Sequence, residues 1–141
     1  MNVVKGLLVS VLFLSSGLLA AQSHHSQWKK VYERDLTDFE LSPEGSGLVL
    51  FAQPQGHCRM DVDFYGETGL AKYQYEFTRD RLTAGLHQEY RYTAASLSEV
   101  TKDKIKLVRN EKLNPASDAV KKEFQEIYQY VPNKVLKKYC F

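Results

Sequence analysis

The sequence has little of what usually carries recognisable chemistry. Two cysteines, four histidines and one tryptophan are scattered through 141 residues. No Cys-x-x-Cys spacing occurs, which argues against a redox-active pair. No Gly-x-Ser-x-Gly elbow, His-Glu-x-x-His zinc motif or phosphate-cradling loop is present. Asn110, Asn114 and Asn133 all lack the hydroxyl partner of a glycosylation sequon, which leans toward a bacterial periplasm over a eukaryotic secretory route. Charge of one sign is also missing. Nineteen basic residues face seventeen acidic ones, so no global field steers the chain onto nucleic acid or anionic lipid. There is no internal repeat, low-complexity tract or second-domain boundary.

The one long hydrophobic run stands at the start. Lys5 precedes an apolar stretch from Gly6 to Ala20, and small Ala20 and Ala21 are followed by polar Gln22-Ser23-His24-His25. That is the layout of a secretory signal peptide. The run is about 15 residues, shorter than the roughly 20 a membrane-spanning helix needs. We therefore expect residues 1–21 to be a cleaved leader, with the cut after Ala20 or Ala21. Residues 22–141 then form a single globular domain, periplasmic or secreted, with no stable membrane insertion after cleavage. Cleavage after Ala21 places His24 third in the mature chain. Its imidazole, two amides and the free amine can form a square-planar site for Cu(II) or Ni(II). A plain polar tail is the simpler reading, and no metal or other cofactor is expected in the folded domain.

In an oxidising compartment, Cys58 and Cys140 read as one disulfide. It closes a loop of about 80 residues, for which loop entropy gives an upper figure of roughly 4–5 kcal/mol. His57 beside Cys58 invites a Cys–His nucleophile reading. That reading needs a free thiol, and neighbours on a strand point to opposite faces.

Three runs alternate apolar and polar residues with period two: 58–65, 71–78 and 82–92. Their connections, Gly66-Glu67-Thr68-Gly69 and Arg79-Asp80-Arg81, are short, so they read as a β-meander. The expected core face carries Cys58, Met60, Val62, Phe64, Tyr73, Tyr75, Phe77, Leu82, Ala84, Leu86, Tyr90 and Tyr92. The wet face carries Arg59, Asp61, Asp63, Lys72, Gln74, Glu76, His87, Glu89 and Arg91. Gly85 suggests a bulge or bend. Leu48 to Ala52 adds a first strand, and Lys104 to Arg109 a last one with Ile105 and Leu107 inward. Trp28, Val31, Tyr32, Leu36 and Phe39 recur at spacings that suit a helix over 26–35, although their β-branched and aromatic content also allows a strand. Val120, Phe124, Ile127, Tyr128 and Val131 form a helical stripe capped by Ser117 or Asp118. A short turn over 133–139 then delivers Cys140. The fold class is α+β: an antiparallel meander of about five strands against a C-terminal helix and an N-terminal one.

Asp61 and Asp63, with Glu76 on the next strand, could do general acid/base work or hold Ca²⁺. Arg59, Lys72 and Arg91 offer them partners, so a solvated, charge-paired sheet surface is the plainer account. The tyrosines are the least ordinary feature. All nine lie beyond the leader, and Tyr73, Tyr75, Tyr90 and Tyr92 are expected to share one face. There they form either a packed core or a groove. Tyr65, pointing to the wet face before the Gly66–Gly69 turn, is a second binding candidate.

The functional expectation is a non-enzymatic exported domain that binds a protein or cell-envelope component, and not nucleic acid. One alternative is an envelope hydrolase using the carboxylates near Asp61 and Asp63. Another is a hydrolase inhibitor of the lysozyme type, which shares export, tyrosine content, β structure and disulfides. No motif carries that last resemblance, and a C-terminal helix departs from it, so the sequence assigns no family.

Overall fold

The structure, a computed structural model, describes residues 27–141. The expected leader over 1–21 and the candidate position at His24 lie outside the described residues. Six strands follow one another: β1 (Lys29–Asp35), β2 (Ser46–Ala52), β3 (His57–Gly66), β4 (Gly69–Thr78), β5 (Arg81–Tyr92) and β6 (Ile105–Leu113). Each pairs antiparallel with the next, so order in the sheet is order in the chain. Two helices close the chain, α1 (Asp118–Tyr128) and α2 (Asn133–Tyr139). The molecule is mostly β, with the helices at the C-terminal end.

The expected strand count of five becomes six because the stretch read as an N-terminal helix is β1. Tyr32 stands opposite Leu50 and Arg34 opposite Leu48, while Val31 is an extra residue that shifts the register between Lys30 and Tyr32. A β-bulge breaks the period of two. Here it leaves Trp28, Val31 and Tyr32 at spacings of three and one, which imitate a helix.

One face of the sheet forms the core. Leu48, Leu50, Ala52, Cys58, Met60, Val62, Tyr75, Phe77 and Leu82 are buried there against Phe124, Val131, Leu136 and Cys140. Phe124 of α1 stands 5.7 Å from the Tyr75 ring and 5.2 Å from that of Phe77, and Tyr128 meets Phe77 edge-on at 5.5 Å. The stripe read from the sequence is thus the buried side of α1. A disulfide joins Cys58 of β3 to Cys140 after α2, across a sequence separation of 82. It holds the C-terminus against the β4–β5 turn, where the Arg79 amide donates to the Cys140 carbonyl at 2.8 Å.

The faces of β5 depart from the expected alternation. Phe77 pairs with Leu82 but Glu76 pairs with Ala84, so Thr83 is an extra, unpaired residue. The predicted bulge exists, two residues before Gly85. A one-residue insertion sends every later side chain to the other face. Only Leu82 of the expected β5 row therefore reaches the core. Beyond the bulge Gly85 faces Tyr75 and His87 faces Tyr73, while Leu86, Tyr90 and Tyr92 turn to the face opposite the helices. His87, expected on the wet face, is 7% exposed. Glu89 and Arg91 share its side and lie across from Arg109 and Lys106 of β6. A second register shift lies between Glu89 and Tyr90. It places Leu107 opposite Tyr90 and Ile105 opposite Tyr92, so both point outward where inward positions were expected.

Candidate functional site

Both helices pack on the core face, and the opposite face of β2 to β5 carries a mixed polar and aromatic surface. Cross-strand register assembles its centre: Arg59 faces Glu76, Asp61 faces Gln74, Asp63 faces Lys72, and Lys72 in turn faces Gln88. Arg59 holds Asp61 through two bonds, Nε to Oδ1 at 2.8 Å and Nη2 to Oδ2 at 3.1 Å. The Gln74 amide adds a donor to Asp61 Oδ2 at 3.4 Å. Lys72 Nζ donates to Asp63 Oδ2 at 3.0 Å, and the Tyr65 hydroxyl donates to the same oxygen at 3.3 Å. Each carboxylate therefore has a cation, as a charge-paired sheet surface requires.

The electrostatics of the two aspartates differ. Burial raises the Asp61 pKa above its ordinary value, and the Arg59 charge only partly opposes the shift. The Tyr65 phenol is also held above its ordinary value, first by burial and then by the Asp63 charge. Tyr92 shifts the same way, by burial and by the field of Glu44. All three phenols of this face, Tyr65, Tyr90 and Tyr92, lie at one end around Lys72. Tyr65 is 40% exposed. A Cβ on Gly69 would stand 2.0 Å from the Tyr90 carbonyl oxygen, so only glycine lets β4 and β5 approach here.

Beside the aspartates, a depression of about 620 Å³ is lined by Glu33, Asp35, Glu44, Asp61, Asp63 and Tyr65, among others. At the opposite end of the face, the Arg59 guanidinium lies 4.7 Å from the Phe51 ring centre and 5.2 Å from that of Trp28. His57 stands 5.4 Å from Trp28, with its Nε2 3.1 Å from Glu76 Oε2.

The tyrosines read as one cluster are thus two. Tyr65, Tyr90 and Tyr92 come together on the open face. Tyr73 and Tyr75 lie on the core face, Tyr75 only 2% exposed. Tyr73 meets Phe64 edge-on at 5.8 Å and stacks on His87 at 4.3 Å. Trp28 and Phe51 join the open face without having been singled out. Phe51 sat in a continuous apolar run, which hides that only alternate members of Ser46–Ala52 are buried. Trp28 sat in the stretch read as a helix.

Among the described residues, no group of three or more His, Cys, Asp or Glu is placed to hold a metal ion. No helix among them is long and apolar enough to cross a membrane. Compared with family models, curated proteins and solved structures, the chain matches none.

Proposed function

We propose that the chain is an exported, non-enzymatic binding domain that recognises a protein or cell-envelope component through the open face of its sheet. One observation carries this reading. Tyr65, Tyr90 and Tyr92 are grouped on the face that the helices leave free, next to paired Asp63 and Lys72. Tyrosine supplies broad amphipathic area at small entropic cost, and aromatic residues are enriched at recognition surfaces. Partly satisfied carboxylates and a lysine around them give orientation. The leader-like segment over 1–21 and the Cys58–Cys140 bond support a periplasmic or secreted setting.

The test is native mass spectrometry of the protein purified from its own host, beside a Tyr65→Ala/Tyr90→Ala/Tyr92→Ala variant. The reading expects added mass from a partner that the variant loses while keeping its disulfide and its fold. Equal partner occupancy in both proteins would sink it.

A second reading, a hydrolase, has one specific observation behind it: Asp61 holds its proton more tightly than an ordinary aspartate, beside Asp63 and the open depression. Asp61→Asn/Asp63→Asn separates the two. It should abolish hydrolysis if these carboxylates work as acid and base, and leave most surface binding intact if they do not.

A further inference from the structure

The core face has an opening of its own, unrelated to the open face. A cavity of about 370 Å³ lies between β3, β4 and α1, lined by Leu41, Phe64, Tyr73, Tyr75, Glu123 and Ile127, with Ala71 and Glu126 completing it. Its size is at the lower end of small-molecule sites. The floor is apolar and aromatic, yet two phenol groups belong to it. Tyr75 is 98% withdrawn from solvent, and neither its hydroxyl nor that of Tyr73 is hydrogen-bonded to a described residue. The Tyr75 hydroxyl itself keeps contact with solvent at the opening, so a ligand that covers it must replace its hydrogen bonds to water.

The charge at the rim decides what kind of group. Both phenols are pushed to higher pKa by burial first and by the Glu123 carboxylate next, which puts that charge close to them. Glu126 is shared with Lys122 at 4.0 Å. Glu123 forms no ion pair among the described residues. Arg109, whose charge acts on Tyr73, is already engaged with Glu89 and Glu111. A neutral hydrophobe would leave the phenols unpaired, and an anion would meet Glu123.

We infer that this cavity is a binding site for a small organic ammonium, with its apolar body on Phe64 and Ile127 and its charged nitrogen between Glu123 and the hydroxyls of Tyr73 and Tyr75. The nitrogen donates to the carboxylate and to the phenol oxygens, and the hydrocarbon displaces water from the apolar floor. No bond is made or broken.

The experiment is an amide chemical-shift titration of the intact, disulfide-bonded protein at neutral pH with 2-phenylethylammonium. The anion 3-phenylpropionate and the neutral 2-phenylethanol, of similar size, serve as comparisons. The site predicts saturable shifts at Ala71, Tyr73, Tyr75 and Ile127, with a Kd on the order of 0.1–1 mM for so small a ligand. Glu123→Gln, on the exposed side of the helix, should weaken the amine about fivefold and leave the alcohol unchanged. Absence of saturation by about 20 mM amine overturns the proposal. So does binding of the alcohol or the anion as tight as that of the amine, or an amine affinity that Glu123→Gln does not alter. None of these results depends on whether Tyr65, Tyr90 and Tyr92 bind a partner.

Discussion

His87 lies flat against Tyr73, the ring centroids 4.3 Å apart and the planes within 9°. The contact exists because Thr83 is an extra residue in β5 and turns His87 onto the core face. Its Nε2 is buried without a hydrogen bond among the described residues, 3.5 Å from a Glu89 oxygen. His87→Ala should therefore cost about 1–3 kcal/mol in urea unfolding, through the lost ring and the cavity left behind. His87→Phe keeps the ring and removes the unsatisfied nitrogen, so it should be neutral or stabilising. A wet-face histidine would give a change within about 0.5 kcal/mol for the alanine variant, and that result would contradict the register.

The disulfide closes a loop that runs from β3 through β6 and both helices, leaving β1 and β2 outside it. Replacing Cys58 and Cys140 together by Ala should lower stability by up to about 4–5 kcal/mol, the loop-entropy value for this separation. The effect has a local signature. The Arg79 amide, bonded to the Cys140 carbonyl at 2.8 Å, should lose protection in hydrogen exchange before the centre of β3 does. Uniform loss across the sheet would show that the bond acts only through the unfolded chain.

Asp61 gives a pH dependence whose sign can be fixed in advance. Its folded pKa is raised from 3.8, with burial as the largest cause. The folded state then binds this proton more tightly than the unfolded chain does. The associated stability is full below the ordinary carboxylate range and is lost as pH rises through the raised folded value. Stability of the native protein minus that of Asp61→Asn, followed by denaturant melts from about pH 3.5 to about pH 7, should fall as pH increases. A rise would mean that the Arg59 pair outweighs the cost of burying the carboxylate.

Much of this architecture was legible because period two and short turns agree from Cys58 to Phe77. The β3–β4 pairing, the α1 stripe ending in Val131, the 133–139 segment and the cysteine pair all follow from local pattern. What failed to read through were the bulges at Val31 and Val108, and the exact position of the one expected near Gly85. Val31, Thr83 and Val108 each insert one residue, and no single residue type marks them. Gly85 pointed to the right region for a different reason: it lies opposite Leu113, whose Cβ would stand 2.9 Å from an added Cβ there. Each insertion reverses the faces beyond it, so residues in perfect alternation, such as Tyr90 and Tyr92, were assigned to the wrong side. Tyr65 was placed correctly because no bulge separates it from Cys58.

The measurement that tests the proposed binding face most directly is site-specific photo-crosslinking in the native host. A benzophenone side chain replaces Tyr90 on the open face in one strain and Gln125, exposed on α1, in another. The account predicts a discrete adduct from position 90 that Tyr65→Ala weakens, and none of that mass from position 125. Crosslinking from position 125 alone, with position 90 silent, would place recognition on the helical side and contradict the assignment of Tyr65, Tyr90 and Tyr92 as the contact surface.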